Sequence, residues 1–284
     1  MKRLFLLFIT IQFLVVARAS APVYQKQDSM FVVRLLKEAP KKQSVAQQMI
    51  YFSRKMIGTP YVAKTLDRSK RERLVVNVKE VDCTTFVEYV LALARCSYEG
   101  TKSFGDFCKQ LQMIRYQNGV VTYGARLHYF SAWIDDNERL GMVKEIQSPV
   151  PPFTATQHVL VNYMSLHSEA YPQMQGDTSI QKAIKRLEKS VTGEIRRYIP
   201  KQNIASSNLY RNTIHDGDII AIVTNKRGLD TSHIGIAVWH RDGLHMINAS
   251  AIHHKVVEEP MLLRTYLTKH PSQIGIRIIR PLSK

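Results

Sequence analysis

Three residues of this chain have the types needed to cut an amide bond together: Cys83, His233 and Asn248. Cys83 lies in "EVDCTTFVEYVLALA" (Glu80 to Ala94), where Phe86, Val87, Val90, Leu91 and Ala94 recur at helical spacing. Asp82 and Thr85 are both good N-cap residues, and Thr85-x-x-Glu88 reads as a capping box. The cysteine therefore falls at or just before the first turn, where unsatisfied N–H groups and the helix dipole favour an anion. That is a setting for a reactive thiolate, and equally a place where a small apolar side chain packs near a cap.

A thiol nucleophile needs a base, and the base usually needs an orienting partner. Of the ten histidines, His233 has the strongest case, because it opens "HIGIAVW", a strand-like run whose edge can face a helix terminus. Gly235, two residues on, shares its side and removes bulk beside it. The next run, "LHMINASA", returns after the turn at Asp242-Gly243 and carries Asn248, so an offset hairpin pairing brings the amide to the imidazole. An amide oxygen there fixes the tautomer of the base, as in Cys-His-Asn enzymes. His128 and His245 read as substrate contacts or as structural residues, and adjacent His253 and His254 read as turn or solvent positions. With no CxxC, no HExxH and no close His/Asp cluster recognised, no metal ligands are assigned.

These residues need elements to hold them. Ser44 caps a helix to about Met56; "IGTPYV" breaks it; "LVVNV" (Leu74 to Val78) reads as a short strand. Further helices are expected around Phe104 to Ile114, before Gly141, and over "TSIQKAIKRLEKS". "TATQHVLVNYMSL" fits strand or helix. From Gly217 onward, short β-rich runs ("GDIIAIVT", "SHIGIAVWH", "LHMINASA", "KVVEE", "GIRIIR") alternate with turn signals. Helices first and an antiparallel sheet afterwards make an α+β arrangement.

The opening "MKRLFLLFITIQFLVVARASA" has a positive start, an apolar run from Leu4 to Val16 and an A-x-A site, which together describe a cleaved signal peptide (residues 1–19, cleavage after Ala19 or Ala21). The apolar run is shorter than the ~20 residues of a membrane span. The expectation is an exported, periplasmic protein without a stable membrane anchor. Its net charge of +17 favours anionic surfaces, and for an exported chain the cell envelope is a better partner than nucleic acid. With three cysteines at least one thiol stays free; Cys96 and Cys108 either bridge or pack unpaired, and Cys83 is the odd one out.

In order along the chain, "IGTPYV", "DCTTFVEYV", "GDII", "SHIGIAVW" and "INAS" resemble five landmarks of the NlpC-type cysteine peptidases, papain-like hydrolases of bacterial cell-wall peptides. The resemblance covers most of the chain after residue 19. It implies a papain-like fold, with N-terminal helices carrying the cysteine packed on a C-terminal antiparallel sheet carrying the histidine. It implies Cys83 as nucleophile, His233 as base and Asn248 as third member, with Tyr61, Asp82, Thr84 and Ser232 beside the substrate. This chain departs from the family pattern in two extra segments, about 62–81 and 119–206, inside a single domain of residues 20–284. Those segments, with "IRYQNG", "ARLHYFSAWI" and "GIRIIR", resemble a branch long filed as a domain of unknown function, whose studied members are N-acetylmuramoyl-L-alanine amidases acting on released muropeptides.

The activity so implied is hydrolysis of the amide between the muramic-acid lactyl group and L-alanine, by a monomer, on peptidoglycan fragments, with no cofactor. The alternatives are a γ-D-glutamyl–diamino-acid endopeptidase and a non-catalytic envelope-binding module. By position, Arg126, His128, Tyr129 and Trp133 would shape a sugar subsite; core packing explains Tyr129 and Trp133 equally well.

Overall fold

Helical periodicity precedes β-rich runs in the sequence, and the computed structural model, which describes residues 21–283, keeps that order. Five helices come first: α1 (Lys26–Glu38), α2 (Val45–Lys55), α3 (Cys83–Tyr98), α4 (Phe104–Arg115) and α5 (Phe130–Arg139). β1 (Val143–Ile146), β2 (Ala155–His158), α6 (Tyr163–Leu166), α7 (Thr178–Val191), β3 (Ile195–Pro200) and α8 (Asn208–Thr213) follow. The chain then runs through β4 (Ile219–Thr224), β5 (Thr231–Trp239), β6 (Leu244–Ser250), β7 (Lys255–Glu258), α9 (Leu263–Thr268) and β8 (Gln273–Pro281). The signal-peptide expectation falls on residues outside those described.

The strands form one eight-stranded sheet in the order β2-β3-β8-β4-β5-β6-β7, with β1 also on β8, and every pair is antiparallel. The fold is therefore α+β. Both faces are covered, which explains why all six residues of β4 are buried rather than alternating with polar ones. Ile219 and Ala221 pack into the helical layer of α1 to α5, while Ile220 and Ile222 pack under α8 and α9 with Ile214 and Leu263. The stretch from 119 to 206 supplies α5 to α7 and the three strands β1, β2 and β3, joined to the rest through β8. "TATQHVLVNYMSL" is both strand and helix: β2 and then α6.

Local chemistry sets the helix starts. Ser44 Oγ accepts the Gln47 N–H, and the Gln47 side chain returns to the Ser44 N–H, so α2 begins on a reciprocal box with Val45, Met49 and Phe52 on its buried face. Helix α3 is buried on all sides from Thr85 to Cys96, as expected for a central helix held between α2, α4 and the strands β5 and β6.

Two local expectations change. Asp82, not Thr85, caps α3: its carboxylate accepts the Thr85 N–H at 2.8 Å, and Thr85 Oγ1 accepts the Asp82 N–H at 2.9 Å. Glu88 is no capping partner; it is buried and its Oε2 accepts from Arg115 Nε at 2.6 Å, tying α3 to α4. "LVVNV" belongs to no named strand. Val75 makes one isolated bridge to Val23, and the segment is pinned by side chains instead, with Arg115 Nη1 donating to the Val75 carbonyl at 2.7 Å.

Candidate active site

Cys83 is the first residue of α3, half-buried, so its thiol stands at the end of a 16-residue helix whose first N–H groups have no partner within the helix. The backbone N–H groups of Ile234 and Thr84 point at Sγ and favour its anion, and the Thr84 hydroxyl lies 4.0 Å away. Strand β5 therefore begins directly over the helix start, and His233 is the residue before Ile234.

Nε2–H of His233 donates to Asn248 Oδ1 at 3.0 Å, which leaves the lone pair on Nδ1. The β5–β6 register explains the offset. Ile236 pairs with Ile247, so Gly235 comes against Asn248, and the His233 ring reaches diagonally along the sheet to the amide. A Cβ on Gly235 would lie 3.2 Å from the Asn248 Cβ and 3.1 Å from the Ile247 carbonyl oxygen. Asn248 is completely buried, and its Nδ2 has no hydrogen-bond partner.

The electrostatics differ from the helix-terminus expectation of a lowered thiol pKa. Burial, reinforced by the Asp82 carboxylate, pushes the Cys83 thiol up to about 11, against the pull of the Ile234 and Thr84 donors. Burial also holds His233 below its ordinary 6.5, against the Asn248 bond. Desolvation thus outweighs the Ile234 and Thr84 donors at the thiol and the Asn248 bond at the imidazole, and it favours the neutral form of both groups.

Tyr61 is held beside the cysteine by the loop that spans residues 62–81. That loop closes on itself where Val62 N–H donates to the Val81 carbonyl at 2.9 Å and Val81 N–H to the Pro60 carbonyl at 3.0 Å. Burial, then the charges of Cys83 and Asp82, push the Tyr61 hydroxyl up to about 12. Ser232, next to His233, has a buried Oγ without a partner. The fold therefore gathers Tyr61, Asp82, Cys83, Thr84, His233 and Asn248 around one helix start, while no contact ties the Ser232 hydroxyl to it.

Arg126, His128, Tyr129 and Trp133 are not part of this group. Trp133 is fully buried and stacks on Phe130 at 4.9 Å. Tyr129 is buried, with its hydroxyl donating to Glu188 Oε1 at 2.8 Å and accepting the Met164 N–H. A ring without exposed surface offers no face to a sugar, so these two are core residues. Arg126 is buried in a network with Asp67 and Glu72, over the ring of Tyr123, and His128 bonds the Tyr123 carbonyl at 2.8 Å. A cavity of about 1200 Å³ beside that network is lined by Lys70, Arg71, Tyr123 and Arg186, and by none of Cys83, His233 and Asn248.

Sequence reasoning missed other neighbours. Tyr266 of α9 is buried within electrostatic reach of Cys83, and His270, whose Nδ1 lies 2.7 Å from the Tyr266 carbonyl, acts on His233. Neither carries a local signal; only the packing of α9 under the sheet brings them near. A His/Asp cluster also exists after all, at His240, Asp242 and His245 in the β5–β6 turn. All three cysteines are free, so Cys96 and Cys108 are buried thiols.

The site thus combines a helix-start cysteine with a sheet-borne His233–Asn248 pair on an α+β frame. Residues 51–276 match the family model described as N-acetylmuramoyl-L-alanine amidase-like, and the chain belongs to that family. A crystal structure of an N-acetylmuramoyl-L-alanine amidase from Bacteroides uniformis is similar: 36% identity and a TM-score of 0.78, over 84% of this chain and 99% of that one. A Bacteroides fragilis protein described as a "putative xylanase" shares 38% identity with a TM-score of 0.74, over 80% of this chain and 98% of its own. A Legionella pneumophila protein at 24% identity and a TM-score of 0.67, over 90% of this chain and 95% of its own, shares the fold. No curated protein matches the sequence. Family and neighbours together support a cell-wall amidase-like function.

Proposed function

We propose that this protein is an N-acetylmuramoyl-L-alanine amidase that cleaves the lactyl–L-alanine amide of muropeptides through a Cys83 thioester. The observation that carries this reading is the His233–Asn248 hydrogen bond placed behind the helix-start thiol. It leaves Nδ1 of a neutral imidazole as the proton acceptor, while Asn248 fixes ring and tautomer.

In this reading Sγ attacks the lactyl carbonyl carbon as its proton passes to His233 Nδ1. Because both groups are neutral at rest, proton transfer accompanies attack instead of preceding it. The Cys83 N–H at the helix start receives the developing oxyanion. Collapse breaks the C–N bond, the imidazolium protonates the departing alanine amine, and a thioester remains. His233 then takes a proton from water, hydroxide adds to the thioester carbonyl, and the thiol leaves with the returned proton. Tyr61, Thr84 and Ser232 supply hydroxyls at the substrate side, and Asp82 holds the helix start.

Glycoside cleavage, the alternative raised by the Bacteroides fragilis neighbour's description, uses two carboxyl groups flanking the bond. Asp82 is the carboxylate beside Cys83, and Thr85 N–H and Oγ1 both donate to its Oδ1 at 2.8 Å. The thiol chemistry is therefore favoured. Export to the periplasm, which rests on the sequence of residues 1–19, places the protein with its substrate. Among the described residues no helix is long and apolar enough to cross a membrane.

The test is product mass. A defined disaccharide-tetrapeptide should yield intact disaccharide acid and a peptide beginning with free L-alanine. Disaccharide still bearing L-Ala-D-Glu would assign an endopeptidase, and unchanged substrate would assign a binding module.

A further inference from the structure

The closed end of the β5–β6 hairpin carries a second cluster of side chains that the proposed reaction does not use. His240 and Asp242 lie in the turn, and His245 is the second residue of β6. One metal-ligating atom from each lies within 4.8 Å of the other two.

His245 is the informative member. Its side chain is 3% exposed, and its Nδ1 lies 2.9 Å from the Glu259 carbonyl oxygen. A carbonyl only accepts, so Nδ1 carries a hydrogen and Nε2 is the ring atom left for a ligand. Nε2 faces Asp242 Oδ1 at 3.2 Å. A cation shared between that nitrogen and the carboxylate satisfies both. A backbone carbonyl on the far nitrogen is also how metal-bound histidines are oriented. The His240 ring stacks on His245, centroids 4.4 Å apart, and its Nε2 lies 2.6 Å from Glu258 Oε1.

We propose that His240, Asp242 and His245 bind one divalent cation of the zinc class. Two imidazoles and a carboxylate suit zinc. The side chains of His240 and Asp242 are 38% and 64% exposed, so solvent reaches the cation from their side and fills the fourth position. The same hairpin presents His233 and Asn248 at its open end, so the cation clamps the register that aligns them.

The experiment uses the full chain carrying Cys83→Ala, which removes the half-buried thiol as a competing ligand. After chelator treatment, Zn²⁺ is titrated by calorimetry, and Co²⁺ is added to read the ligand set by absorption. The expected result is one equivalent of Zn²⁺ bound at micromolar affinity or tighter. Co²⁺ should show a d–d band without thiolate charge transfer, and the melting temperature should rise with metal. Asp242→Asn and His240→Ala change exposed side chains and leave the fold intact by circular dichroism, yet each should weaken Zn²⁺ at least about tenfold. No Zn²⁺ binding by the parent chain, or undiminished binding in both variants, would overturn the proposal.

Discussion

Nε2 of His233 lies 3.0 Å from Oδ1 of the completely buried Asn248, and this one bond leaves the lone pair of the ring on Nδ1. His233→Ala should cost nearly as much activity as loss of the thiol, because nucleophile and base act as a unit. Asn248→Ala removes orientation rather than chemistry, so kcat should fall roughly 10- to 100-fold with KM little changed. Steady-state kinetics on a defined muropeptide read both. Full activity in Asn248→Ala alongside an inactive Asn248→His would show that the third-member assignment is wrong.

Gly235 is the space-maker for that bond. In Gly235→Ala the new methyl meets the Asn248 Cβ at 3.2 Å and the Ile247 carbonyl at 3.1 Å. Overpacking should cost about 1–3 kcal/mol in urea unfolding. Activity per folded molecule should fall as well, because the displaced group is the one that orients His233. Unchanged kcat would mean that Asn248 tolerates the shift.

The pH dependence of stability follows from two buried imidazoles. Burial holds His233 below 6.5 and pushes His128 down to about 3. Below pH 6.5 the unfolded chain therefore binds protons that the folded chain refuses. Stability is flat for these groups above pH 6.5 and declines from there as pH falls toward their folded values. His128→Gln should shrink the loss between pH 7.5 and pH 5 by about 1–2 kcal/mol, at about 1.4 kcal/mol per unit. Urea midpoints at the two pH values check this; an identical loss in the variant would contradict it.

Glu88 and Arg115 join α3 to α4 through a fully buried ion pair at 2.6 Å. Removing one partner strands the other charge, so Arg115→Met should destabilise by about 3–5 kcal/mol. The double variant Glu88→Leu/Arg115→Met should recover most of that loss. A single variant that unfolds at the parent urea midpoint would show the pair to be inert.

What could be read in advance divides along physical lines. The helix start at Cys83, the cap at Ser44 and the runs of β4 to β8 are written in neighbouring residues, so a local reading finds them. The choice of Asp82 over Thr85 as cap depends on whether Glu88 is solvated, and Arg115, 27 residues away, decides that. Leu74 to Val78 has strand composition but its backbone pairs only with Val23, so no ladder forms. Trp133 and Tyr129 fit a sugar subsite or a core equally well in sequence, because an aromatic residue reads the same on a binding face and in a core; burial decides for the core. The His240, Asp242 and His245 spacing was present, but convergence of their ligand atoms depends on how the turn folds. Tyr266 and His270 reach the site only through the packing of α9. Family resemblance, not local physics, supplied the bond proposed to be cut.

Cys83 is the proposed nucleophile, and one rate comparison tests it. Parent chain, Cys83→Ala and the control Cys96→Ala are incubated with the same defined disaccharide-tetrapeptide, and release of peptide bearing a free L-alanine amine is followed by mass. Cys83→Ala should retain the fold while its rate drops by at least about 10⁴-fold, and Cys96→Ala should lose stability at most. Hydrolysis by Cys83→Ala at the parent rate would exclude Cys83 as the nucleophile.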